Sequence, residues 1–256
     1  MTAIDRASQT TAQPALRWQT VEVTGLITET ERVKTLVLTR PDWPKYLPGQ
    51  HVDVRLTAPD GYQAQRSYSI ASSPEDSTLR LTVERIEDGE VSPYFTDAVA
   101  KGDKFELRGP IGRYFVWTSK LGGPLFLIAG GSGIVPLMSM LRHREAQNSA
   151  IPARLLFSSR TERDIIYRAE LDVLSKKNDG LTIVHTLTRE RPAGWNGRLG
   201  RIDADMLMQP GFAPGDGPRI FICGPTGFVE AAANALLAMG HARTAIKTER
   251  FGPTGR

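Results

Sequence analysis

Arg66, Ser67, Tyr68 and Ser69 place a guanidinium, two hydroxyls and a phenol ring on four consecutive residues. A guanidinium pairs with phosphate, a phenol ring stacks on a flat heterocycle and a hydroxyl bonds a ring nitrogen, so the set suits a flavin nucleotide. The same four residues also make an ordinary strand with a polar outer face. Gly89-Glu90-Val91-Ser92 stands at the head of a short helical pattern. Backbone N–H groups there attract an anion, although a plain turn and cap reads the same way. Gly130-Gly131-Ser132-Gly133-Ile134-Val135-Pro136 joins an apolar run to a second helical pattern. Glycines at such a junction let the backbone approach a pyrophosphate, and Pro136 stands where the usual dinucleotide fingerprint has a third glycine. A tight structural turn is the alternative. Cys223-Gly224-Pro225 repeats the arrangement, with a thiol at the end of an apolar run just before a helix, where doubly wound sheets bind their ligands. A lone thiol is otherwise a small buried apolar group.

These motifs call for two different scaffolds. From Arg17 to Trp117 polar and apolar residues alternate, as in His51-Val52-Asp53-Val54-Arg55-Leu56 and Leu79-Arg80-Leu81-Thr82-Val83-Glu84, which predicts half-buried antiparallel strands. Turns at Pro48-Gly49, Pro59-Asp60-Gly61, Asp88-Gly89 and Gly109-Pro110 favour a closed barrel, with one helix from Ser92, as N-cap, to about Ala100. After Gly122-Gly123 continuous apolar strands take turns with helices. Strands are expected at Leu125 to Ala129, Arg154 to Phe157, Leu181 to Leu187, Arg219 to Cys223 and Ala245 to Thr248. Helices are expected at Ile134 to Ala146, Glu162 to Lys176 and Gly227 to Met239. That order predicts a parallel sheet wound on both faces. The expected organisation is β + α/β: a tail at 1–15, an antiparallel flavin-binding β-barrel at 16–119, and a doubly wound nucleotide-binding domain at 120–256.

Composition narrows the function. Among 256 residues there is one cysteine, Cys223, which excludes an intramolecular disulfide and any iron-sulfur cluster held by four thiolates of this chain. His51, His143, His185 and His241 are too dispersed for a metal site. The net charge of +4 is scattered rather than gathered into a basic helix or finger, so nucleic-acid binding is not expected. Neither a secretory signal nor an apolar run of membrane-spanning length is visible, and the expected location is the cytoplasm, off the membrane.

In this order and spacing the four motifs resemble the ferredoxin-NADP reductase superfamily, over nearly the whole chain from Arg17 onward. The resemblance implies that Arg66 binds flavin phosphate, with Ser67 in the same motif, that Tyr68 stacks on the isoalloxazine and that Ser69 bonds near its N5. Gly89, Val91 and Ser92 would hold the flavin phosphates. Gly130, Gly131, Gly133 and Pro136 would bound the nicotinamide-nucleotide site, with Cys223, Gly224 and Pro225 at the nicotinamide. Glu249-Arg250-Phe251-Gly252 falls where the family places an acidic residue and often an aromatic near the flavin, although this chain continues through Pro253 to Arg256. Ser69, Cys223 and Glu249 would tune hydride transfer from NAD(P)H, and no side chain need act as nucleophile.

FAD is expected rather than FMN. The expected acceptor is a separate protein, a ferredoxin or an oxygenase or oxidoreductase component, and no iron-sulfur domain is expected at either end. Two alternatives are a flavin or quinone reductase with a small-molecule acceptor, and a non-catalytic nucleotide-binding subunit. The coenzyme choice is read at the second strand of the nucleotide half, which ends in Ser158-Ser159-Arg160 with no carboxylate at its tip. An acid there binds the ribose hydroxyl of NAD and an Arg accommodates the phosphate of NADP, so NADPH is favoured over NADH. Arg168 is a candidate second charge, with Glu162 and Asp164 close by in sequence.

Overall fold

The computed structural model describes residues 16–39, 43–209 and 211–251. The tail expected at 1–15 lies outside them, as do Gly252 and the residues after it. Two six-stranded sheets make up the framework.

The first sheet contains β1 (Trp18–Thr30), β2 (Val33–Leu38), β3 (His51–Thr57), β4 (Gln63–Ser69), β5 (Leu79–Glu84) and β6 (Lys104–Ile111). The strands are antiparallel in the order β4-β3-β6-β1-β2-β5. A bridge between Ile70 and Leu81 joins the two edge strands and closes the sheet into the expected barrel. The alternation works as read: Val52 and Val54 point inward with Leu36, Leu38, Leu79, Leu81 and Phe95, all fully buried. Each such side chain contributes about 1.5 to 3 kcal/mol relative to exposure. On the outer face Arg55 makes two bonds of 2.7 Å to Glu106, and Arg108 reaches Asp53 at 2.7 Å.

The second sheet is wholly parallel, in the order β10-β9-β8-β7-β11-β12. Its strands are β7 (Leu125–Gly130), β8 (Ala153–Ser159), β9 (Leu181–Leu187), β10 (Arg198–Leu199), β11 (Arg219–Pro225) and β12 (Ile246–Phe251). Every residue of β7 is buried, as a central strand covered on both faces must be. Helices α1 (Ile134–Ala146), α2 (Arg168–Ser175), α3 (Ala204–Met208) and α4 (Thr226–Ala238) complete this half. The structure therefore bears out both halves of the fold, one antiparallel and one doubly wound.

Two local expectations are corrected, and two short elements are added. The helix expected from Glu162 to Lys176 is broken. Asp164 accepts from both the backbone N–H and the hydroxyl of Thr161, which ties off a single tight turn, and Ile165, Ile166 and Tyr167 then turn inward before α2 begins at Arg168. Tyr167 takes a left-handed conformation, with φ at 60°, to make that change of direction. The helix expected from Ser92 to about Ala100 is present over residues 92–98, widened over Tyr94–Ala98, but Ser92 lies inside it and its hydroxyl, instead of capping, accepts from the N–H of Ile86. Strand β10 and helix α3 are additions too short to show a period; Asp203 caps α3 by accepting from the Met206 N–H.

A chain of buried polar groups crosses between the two sheets. The Tyr167 hydroxyl bonds Thr82 on β5, Thr82 and Thr35 on β2 lie 2.7 Å apart, and Thr35 donates to Glu29 at 2.7 Å.

Candidate active site

Parallel strands deliver their C-terminal ends to one edge. In register, Gly130 lies beside Ser158, Cys223 beside Ala129 and Glu249, and Pro225 beside Phe251. The glycine loop, the cysteine motif and the Glu249–Phe251 end thus meet at the edge where such sheets bind ligands. The contact between the first two is close: a Cβ on Gly133 would stand 2.1 Å from the Cys223 carbonyl oxygen, so only glycine admits the approach. A Cβ on Gly224 would stand 3.1 Å from the Gly130 carbonyl oxygen. Gly131, at φ 55°, turns the chain into α1, and Pro136 lies in the first turn of that helix, where no intrahelical N–H is lost.

Cys223 is fully buried, and burial, followed by the neighbouring Glu249 carboxylate, pushes its thiol well above the ordinary range. Its Sγ lies 4.0 Å from Glu249 Oε2. Burial also raises the Glu249 carboxyl, to about 7, so this acid changes charge near neutrality. Phe251 is half-buried against the apolar cluster that contains Cys223.

The Arg66–Ser69 set lies at the end of β4. Arg66 is exposed and holds Glu90 at 2.6 Å, Tyr62 donates to the same carboxylate at 2.7 Å, and Ser67 donates to Asp53 at 2.7 Å. Tyr68 is half-buried, edge-on to Phe95 with ring centroids 6.0 Å apart, and burial raises its phenol pKa. The Ser69 hydroxyl is buried without a hydrogen-bond partner among the described residues. An orphaned buried hydroxyl costs free energy unless something bonds it, and a flavin ring nitrogen is a fitting acceptor. Gly89 and Ser92 pack against each other, since a Cβ on Gly89 would meet Ser92 Oγ at 2.8 Å, and Val91 is buried in the barrel core. The helical segment that follows is short, residues 92–98, so its dipole is small.

The two groups of residues are joined. Ala71, two residues after Ser69, packs in the same apolar cluster as Ile134, Val135 and Cys223, while Ser139 and Arg142 of α1 donate to the carbonyls of Ser72 and Ala71. Sequence reading missed Ser139 and Arg142. Ser139 interrupts an apolar run and could have been noticed, whereas Arg142 stands in the polar run Arg142-His143-Arg144-Glu145 and carries no such signal.

At the tip of β8 the acids already near in sequence, Glu162 and Asp164, are joined by Glu84, which is remote in sequence. Arg160 lies 3.3 Å from Glu84 of the barrel and 3.9 Å from Asp164, and Arg168 is paired with Glu162 at 2.5 Å. Ser159 is buried, with its hydroxyl unpartnered among the described residues.

A flavin-binding barrel followed by a parallel sheet with a nicotinamide-nucleotide edge defines an NAD(P)H-dependent flavin oxidoreductase. The oxidoreductase FAD-binding domain matches residues 20–116 and the oxidoreductase NAD-binding domain matches residues 127–234. The chain is 33% identical to NADH-cytochrome b5 reductase 1 of Aspergillus terreus, over 76% of its own length and 68% of the relative's. It is 36% identical to Ferredoxin--NADP reductase B of Sorangium cellulosum, over 75% of this chain and 80% of that one. It is 32% identical to the glycine betaine monooxygenase reductase subunit of Pseudomonas aeruginosa, over 82% of this chain but only 57% of the relative's length. Among solved structures, the FAD/NAD-binding domain of nitric oxide dioxygenase from Vibrio cholerae superposes with a TM-score of 0.82 at 26% identity, covering 91% of this chain and 98% of that one. The chain belongs to the ferredoxin-NADP reductase superfamily, with FAD and NAD(P) as its cofactors. Among the described residues no helix is long and apolar enough to cross a membrane.

Proposed function

We propose that this chain is a cytoplasmic reductase that takes electrons from NADPH or NADH and delivers them to a separate protein acceptor, a ferredoxin or an oxygenase component. The observation that carries the reading is the buried, unpartnered Ser69 hydroxyl on a segment that packs in the same cluster as Cys223. When bound, FAD accepts two electrons at once from the nicotinamide and releases them one at a time.

The residues of the chain do the rest. Arg66, with Ser67 and the backbone of Gly89, Val91 and Ser92, binds the flavin phosphates, and Glu90 yields the guanidinium to them. Tyr68 supplies a stacking face, Ser69 bonds near N5, and Phe251 borders the ring. Gly130, Gly131, Gly133 and Pro136 shape the pyrophosphate site, Ser159 and Arg160 meet the adenosine ribose, and Cys223, Gly224 and Pro225 seat the nicotinamide. Glu249, with its raised pKa, holds or yields a proton beside Cys223. The division into 16–119 and 120–256 assigns one cofactor to each half. A relative named as an oxygenase reductase subunit and another named as a ferredoxin reductase support the protein acceptor.

The test is anaerobic mixing of the purified yellow protein with NADPH or NADH, followed by a comparison of ferredoxin, oxygenase and quinone acceptors. A protein that takes up neither FAD nor FMN, or whose flavin stays oxidised, overturns the reading. Faster turnover with quinone than with any protein acceptor overturns the choice of acceptor.

A further inference from the structure

Helix α1 is buried over every residue from Ile134 to Arg144. Most are apolar, yet Ser139, Arg142 and His143, at spacings that share one helical face, all bond the barrel segment 71–75. Ser139 Oγ donates to the Ser72 carbonyl at 2.7 Å and Arg142 Nη1 to the Ala71 carbonyl at 2.6 Å. His143 Nδ1 lies 2.9 Å from Glu75 Oε1. Its other ring nitrogen accepts from the Ser119 N–H at 3.3 Å, so the proton sits on Nδ1 and is donated to Glu75.

Arg142 is the hub. Its Nε and Nη2 make a fork on the Glu170 carboxylate at 2.8 and 2.6 Å, and its guanidinium lies 4.8 Å from the centre of the Tyr167 ring. Tyr167 in turn is held in its left-handed conformation with its hydroxyl on Thr82. A buried ion pair is no stronger a source of stability than well-packed apolar residues of the same volume. What a fully bonded fork adds is register, because each donor fixes one acceptor at one distance.

The geometry of this helix ties two sites together. Its first residue follows Gly133, whose backbone rests on the Cys223 carbonyl, and eight residues later, about 12 Å along the axis, Arg142 grips the chain two residues beyond Ser69. We propose that Arg142, with Ser139 and His143, is a positioning residue for hydride transfer: α1 acts as a spacer that sets the Ser69 segment against the glycine-loop edge. The inference rests on the reductase reading, because it takes Ser69 and the glycine loop as the two partners being spaced.

The experiment compares Arg142→Lys, Arg142→Ala and Ser139→Ala with the wild type, all loaded with FAD. A displacement on the order of 1 Å between reacting groups costs up to about 100-fold in rate, so flavin reduction at saturating coenzyme should fall by roughly 10- to 100-fold in the Arg142 variants, with the KM for coenzyme unchanged. Methylguanidinium should restore part of the rate of Arg142→Ala without restoring its melting temperature. Before any coenzyme is added, amide exchange should speed up in peptides covering residues 69–73 and stay unchanged in β9. Variants that melt earlier but are reduced at the wild-type rate, with 69–73 still protected, overturn the proposal alone. A wild-type flavin left oxidised by both coenzymes overturns the reductase reading and this one with it.

Discussion

Glu249→Gln should stabilise the protein above neutrality, by an amount that shrinks through mild acid and vanishes below about pH 4. Burial raises this carboxyl from 4.5 to about 7 in the folded state. The fold thus disfavours the charged form, and the sign follows: below the unfolded value of 4.5 the group is neutral in both states and costs nothing. As pH rises from 4.5 to 7 the unfolded chain ionises first, stability falls, and above about 7 the whole penalty is present. A rise of about 2.5 units at 1.36 kcal/mol each is about 3 kcal/mol, and partial solvent access to Glu249 reduces this to about 1.5 to 3 kcal/mol. Glutamine keeps the volume and removes the charge, so the variant should gain that amount at pH 8 and only about a quarter of it at pH 5. Thermal or urea unfolding at fixed FAD concentration reads it directly, at about 2 to 4 °C for each kcal/mol in a protein of this size. An equal difference at pH 5 and pH 8, or a variant less stable at pH 8, would show that Glu249 is not a desolvated acid. The same substitution should remove a break near pH 7 in the rate of flavin reduction.

Cys223→Ser nearly preserves volume and leaves Glu249 as a hydrogen-bond acceptor, so flavin reduction should slow while melting changes little; a large loss of melting temperature with normal kinetics would reduce Cys223 to a packing role. Tyr68→Ala removes one aromatic partner of Phe95 and the stacking face, so FAD should dissociate on dilution, with an effect on the order of 1 kcal/mol beyond the lost area, and retention of FAD through gel filtration would count against stacking. Arg160→Ala should raise the KM for NADPH more than that for NADH, since a charge-assisted bond to phosphate contributes about 1.5 to 3 kcal/mol. Glu84→Gln should act in the opposite direction by releasing the Arg160 guanidinium, and equal effects on both coenzymes from both variants would remove Arg160 from the ribose site.

What was legible in the sequence was what repeats or what is local. Period-two alternation gave the barrel strands, and a fully apolar Leu125 to Ala129 gave the central strand of the parallel sheet, because burial on both faces leaves no polar position. Helix α1 was bounded as observed, Ile134 to Ala146, because glycines precede it and the loop context is strong. Helix α2 was not, because Glu162 and Asp164 read as first-turn residues of a helix, whereas Asp164 in fact closes a turn with Thr161 that stops one. The surroundings of Arg160 were illegible for a different reason: Glu84 is 76 positions away in the chain, and only the packing of the barrel against the nucleotide half brings it near. Ser92 was read as a cap from its type and place, and the structure uses the same hydroxyl to close the loop back to Ile86.

The hydroxyl chain from Tyr167 through Thr82 and Thr35 to Glu29 bears on how the molecule comes apart. Tyr167 is fully desolvated, which pushes its phenol up to about 12, and opening the contact would strand polar groups on both sides at once. Neither half can lose its order without stripping the other of a partner, so heating should produce one calorimetric peak for the two sheets together rather than two separate melts.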